Sequence, residues 1–221
     1  MLFGFELDVA PPTLLPLTWS AVPSLTDLVE DYALPEERLA VKMGLAVGDL
    51  NALASGCQAA RHSAEKLREE VRGASPRRLA ESLGIAVVEE RWGIVAGRFF
   101  QWGECTGRAK RIVLNCWAVE QVTAGIVRWG RPRELAALVA ERLPGLILAH
   151  ELHHCLYADV EEPLPSPLAR ELVAHSFART FCESPYSPLL YDRLVILTTG
   201  KIVDRLAERA TERERGREFQ R

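Results

Sequence analysis

Apolar positions recur at short helical spacing from about Ser24 to Val71, after an opening segment broken by Pro11, Pro12 and Pro16. Arg72-Gly73-Ala74-Ser75-Pro76 then carries the turn residues and N-terminal proline of a linker or helix entry. Beyond it the period changes. Arg77–Leu83 reads as a helix closed by Gly84, and Ile85–Val88 as a strand. Two further strand-like runs follow at 98–102 and 111–115, joined by a glycine-containing connection, so a small antiparallel sheet is expected. Pro132 opens a helix that Leu143-Pro144-Gly145 should end. A second helix is expected from about Pro144 to Tyr157, and after the proline-rich loop Glu161–Pro167 another from about Leu168 to Cys182. The pattern predicts an α+β chain in four parts: a proline-rich segment (1–23), a small all-helical unit (24–72), a larger α+β domain (76–200) and a tail (201–221).

Charge separates these parts further. Residues 1–56 hold eight acids against Arg38 and Lys42, a net −6, while the whole chain of 221 residues carries −3. The tail alternates arginine and glutamate without an apolar face after Leu206, as a solvated helix end or disordered segment does. The five cysteines are odd in number and contain no CxxC pair, which points to a reducing, cytoplasmic setting without disulfide staples. The N-terminus lacks a basic n-region and carries Glu6 and Asp8, so it makes a poor signal peptide. No run approaches eighteen uncharged apolar residues, and no membrane span is expected.

Chemistry concentrates in one place. His150-Glu151-Leu152-His153-His154 is an HExxH motif inside a predicted helix, where the outer histidines lie one turn apart on one face. Two imidazoles so placed reach one zinc ion, whose bound water falls to a pKa of roughly 7, and Glu151 stands where a general base is needed. Chance alone yields such a motif in roughly one chain of this composition per hundred. Four of the five histidines, His150, His153, His154 and His175, fall within 26 residues, which favours a site over stray surface histidines.

A third ligand sets the subclass. The metzincin extension needs Gly and His where Tyr157 and Val160 stand, and is excluded. Glu171, opening the next helix 17 residues after His154, fits a His2Glu site. Asp159, Glu161 and Glu162 are rivals in or near a loop; His175, one turn beyond Glu171, is a candidate ligand or orienting neighbour. Tyr157 is a candidate oxyanion partner, with helix packing as its ordinary role. His153 points off the ligand face, and Cys155 and Cys182 have no ligand-like spacing. Manganese or iron would accept the same donors as zinc.

Gly145–His154 followed by Glu171-Leu172-Val173-Ala174-His175-Ser176-Phe177-Ala178 resembles the ImmA/IrrE family of zinc metallopeptidases, whose pattern is AHExxH and then E-x-x-A-N-x-F-A. Leu79–Val88 and Arg111–Asn115 fit the same pattern upstream, so the resemblance covers about 76–190. It implies a zincin-like, gluzincin-type fold, zinc held by His150, His154 and Glu171, and Glu151 as general base. The implied reaction is hydrolysis of a protein substrate, a helix-turn-helix transcriptional repressor. Three departures stand out: His175 for asparagine, an added helix-like stretch at 118–143, and Ser184–Pro188 where the family tends to LeuLeuMetPro.

Leu34–Gly56 resembles a degenerate Xre-type helix-turn-helix, with Leu39, Ala40, Gly44, Leu45, Leu50, Leu53 and Gly56 at its apolar and turn positions. Its base-reading positions would be Ala46, Val47, Gly48 and Asp49, without a basic residue, so DNA binding is expected to be weak or absent. A protein partner, a homodimer or a structural role remain for this unit. The leading expectation is a zinc endopeptidase acting on a regulator. Its rivals are a non-catalytic transcription regulator or adaptor on a peptidase-like fold, and a structural zinc with four protein ligands.

Overall fold

A computed structural model of the chain describes residues 32–73, 75–91, 102–106, 110–128, 133–157 and 166–191. The opening segment, the start of the helical unit (24–31), the tail and most of the Glu161–Pro167 loop lie outside the described residues.

Two helices come first, α1 (Glu36–Lys42) and α2 (Leu50–Glu70). Asp49 caps α2 by accepting from the Asn51 and Ala52 amides at 2.8 and 3.2 Å. Ala46, Val47 and Gly48, placed by sequence at the start of a second helix, therefore precede it, and Val47 is buried. The α2 helix is amphipathic and buries Leu53, Gly56, Cys57, Ala60 and Ala64, mostly small side chains that allow close approach.

Helix α3 (Pro76–Ser82), capped by Ser75 with proline in its first turn, ends at Gly84, whose φ of +67° suits a residue without Cβ. Strands β1 (Ala86–Glu90), β2 (Gly103–Thr106) and β3 (Arg111–Asn115) follow. They form a mixed sheet in the order β1-β3-β2, with β1 parallel and β2 antiparallel to β3. The expected all-antiparallel arrangement is thus corrected, and the physical reason lies in burial. Ile112, Val113 and Leu114 are all buried, a continuous apolar run suited to a central strand, whereas β1 and β2 carry exposed positions suited to edges. Of the expected strand-like run at 98–102, residues 98–101 lie outside the described residues, and Trp102 directly precedes β2.

Helix α4 (Cys116–Arg128) leads to α5 (Arg133–Tyr157), which runs unbroken through Pro144. The expected break at 143–145 does not occur. Leu143 on one side and Leu146, Ile147, Leu148 and Ala149 on the other are all buried, and that packing outweighs the local preference of proline. Consecutive burial over Leu146–Ala149, beside exposed Ala140, Glu141 and Arg142, fits a helix whose second half is packed among α3, α4, β2, β3 and finally α6 (Pro167–Phe181). Ser166 caps α6 by accepting from the Ala169 amide at 3.1 Å, and its hydroxyl donates to the Val47 carbonyl at 3.2 Å.

The α2 helix packs along α6, and the Cys57 thiol donates to the Leu172 carbonyl. Residues on both sides of 72–76 join a single buried cluster, from Leu39 and Leu53 through Ile112 and Leu152 to Phe177 and Tyr191. A polar seam crosses the same contact: Arg61 donates to Ser176, which donates to the buried Glu36 at 2.9 Å, and Arg179 lies 3.8 Å from Glu36. Glu36 is paired, as a carboxylate at that depth requires.

Candidate metal centre

The i, i+4 spacing of His150 and His154 on α5 brings their Nε2 atoms within 3.0 Å of each other. Glu171, on the facing turn of α6, reaches both: Oε2 lies 3.1 Å from His150 Nε2 and Oε1 lies 3.5 Å from His154 Nε2. Among the described residues these three form the one group of three or more donors placed to share a cation. Their separations bracket the roughly 3.3 Å between vertices of a tetrahedral zinc shell with bonds of about 2.0–2.1 Å. The donor set, two imidazoles and a carboxylate, suits zinc. His150 is the most enclosed, at 13 % side-chain exposure, while His154 and Glu171 stand at 31 % and 35 %, so one side of the group is open.

Two carboxylates here experience opposite forces. Burial pushes both upward, but at Glu171 the hydrogen bonds and charge of His150 and His154 outweigh it and hold the group well below the usual range. At Glu151, which is nearly inaccessible, burial dominates and raises the pKa against the lowering charge of the two histidines. The Cys105 amide on β2 donates to the Glu151 carboxylate. Gly103, on the same strand, lies so close that a Cβ there would sit 3.1 Å from Glu151 Cγ and 3.0 Å from Ile147 Cγ2.

The other sequence candidates fall elsewhere. His175 is not in the three-donor group; its ring centroid lies 4.9 Å from that of His150, and burial pushes it down to about 3. His153 packs against Tyr157 at 4.8 Å and Phe177 at 5.3 Å, and is likewise pushed down to about 3 by burial. Tyr157 therefore faces the helix-packing side of α5. Asp159, Glu161 and Glu162 lie outside the described residues.

Cys105 and Cys155 are joined by a disulfide, against the expectation of unpaired cysteines. No spacing rule marks a pair 50 residues apart; the sheet-on-helix packing brings them together. Gly103, Cys105 and Ile147 border the site with no motif to announce them. A cavity of about 760 Å3, lined by Leu114, Val119, Ala140, Pro144 and Ile147 among others, follows the α5 stripe that continues to Glu151. Among the described residues no helix is long and apolar enough to cross a membrane.

No family model, curated protein or solved structure matches the chain.

Proposed function

We propose that the chain is a zinc-dependent endopeptidase of the ImmA/IrrE type, with a gluzincin-like arrangement of its α+β fold. The observation that carries this reading is the convergence of His150, His154 and Glu171 beside a buried Glu151. His150, His154 and Glu171 would hold zinc, which when bound polarises a carbonyl and makes a coordinated water acidic near neutral pH. Glu151 takes the attacking water's proton on a carboxylate oxygen and returns it to the departing amine as the C–N bond breaks. Its raised pKa brings it toward the pH at which a carboxylate both accepts and gives a proton. Edge strand β2 offers an extended substrate segment a partner beside Glu151, and the cavity beyond Ile147 takes a neighbouring apolar side chain. Three donors with an open side support a catalytic rather than a structural ion. By resemblance, the substrate is a helix-turn-helix repressor, which places the reaction in the cytoplasm.

The test is metal content of the wild type beside Glu171→Ala and Glu151→Gln. One zinc per chain is expected in the wild type and in Glu151→Gln, with loss in Glu171→Ala. Glu151→Gln should then cut repressor cleavage by about a hundredfold or more. A wild type without zinc under metal-replete conditions overturns the reading in favour of a binding protein on a peptidase-like fold.

A further inference from the structure

Ile147, Glu151 and Cys155 follow one another at intervals of four along α5, so they form one stripe. Strand β2 meets that stripe at each of the three. Gly103 lies against Ile147 and Glu151, the Cys105 amide donates to the Glu151 carboxylate, and the Cys105 sulfur is bonded to Cys155. The strand has four residues and, among the described residues, lies at the sheet edge and pairs with β3. Its contacts with α5 include a covalent bond, a hydrogen bond and the close approach of a glycine. Cys155 directly follows His154, yet neither sulfur belongs to the three-donor group.

We propose that the Cys105–Cys155 disulfide positions Glu151, and that its reduction by a cellular thiol frees β2 from α5 and withdraws the amide from the carboxylate while leaving the metal ligands in place. The inference rests on the endopeptidase reading and adds thiol control to it. Cys105 is thereby a positioning residue, acting through its backbone amide. Both sulfurs belong to half-buried residues, within reach of a thiol. The free cysteines are poor competitors for exchange: burial pushes Cys57 and Cys182 up to about 12, and burial together with the neighbouring Glu89 raises the half-buried Cys116, which suppresses their thiolates. In the exchange, a thiolate of a dithiol reductant attacks one sulfur, the S–S bond breaks and a mixed disulfide forms. The second thiol of the reductant displaces it. Two electrons and two protons pass to the protein, which ends with two thiols, and the reductant leaves as its disulfide.

The probe is acetohydroxamic acid, which on chelating zinc through its two oxygens would give its hydroxyl proton to the neighbouring glutamate, so its affinity reports where Glu151 stands. Calorimetry on the zinc-loaded full chain compares the oxidised wild type, the wild type reduced with dithiothreitol and freed of it without air, Cys105→Ala, Cys155→Ala and Glu151→Gln. One zinc per chain is expected throughout. Affinity should fall about tenfold on reduction and in both cysteine variants, return on reoxidation of the wild type, and be weak in Glu151→Gln in either redox state. One zinc per chain with the same affinity for the probe in both redox states overturns the inference and leaves the endopeptidase reading standing. Peptide mapping that finds both residues as thiols in protein isolated in air also overturns it. A chain without zinc in either state overturns the endopeptidase reading and this one with it. Reversible reduction of the wild type keeps the test decisive even if a cysteine variant fails to fold.

Discussion

Burial acts on four titratable side chains around the candidate metal centre, and their pH dependence follows from it. His153 and His175 are held neutral inside the fold, each pushed from 6.5 down to about 3. Between those values the unfolded chain binds a proton that the folded chain refuses, so stability falls as pH falls below 6.5. Glu171, also depressed, adds to the loss only below its ordinary value of 4.5. Glu151, raised, works in the opposite direction above 4.5. His175 faces His150, His154 and Glu171, so its environment is the site itself. Urea unfolding of the metal-free protein should show lower stability at pH 5 than at pH 7, with about 2 kcal/mol from each histidine. His175→Asn should remove its share of that slope. At this scale His150, Glu151 and His154 were legible because a motif at helical spacing is a local fact. Glu171 was legible because its helix was. The Cys105–Cys155 bond and the amide on Glu151 were not, since they depend on where a strand lands on a helix.

Elements were read better than their arrangement. Caps and prolines marked α3 and α6 to within a residue or two, because Ser75-Pro76 and Ser166-Pro167 act locally. Pro144 misled, because the preference it expresses is local while the burial that overrides it comes from surrounding elements. Strand order misled for a similar reason: neighbours in sequence, β1 and β2, both flank β3. The sheet's distance from α5 is set at Gly103, where a Cβ would meet Ile147, Glu151 and the Val113 carbonyl oxygen at 3.0–3.1 Å. Gly103→Val should therefore cost about 1–3 kcal/mol of stability in urea unfolding. A neutral result would mean that β2 does not approach α5 so closely.

At the scale of the molecule, the helical pair α1–α2 and the helices of the metal centre share one core. Sequence placed a boundary at 72–76 because turn residues and a change of period coincide there. Those signals report the path of the backbone and carry no information about which faces pack together. A chain beginning at Ser75 keeps every candidate ligand but uncovers the α6 face around Leu172 and Ser176 that α2 and Arg61 cover. Such a chain should melt without cooperativity in circular dichroism and fail to retain zinc. A cooperative melt with zinc bound would show instead that the second part folds alone.

That shared core also has a consequence in time. Cys57 and Leu172 meet across 115 residues of chain. A ribosome adding about 5–20 residues per second takes roughly 6–23 s to cover that distance. Throughout the interval the small-residue stripe of α2 has emerged without the helix that will cover it, so the newborn chain must be kept from its neighbours until α6 arrives.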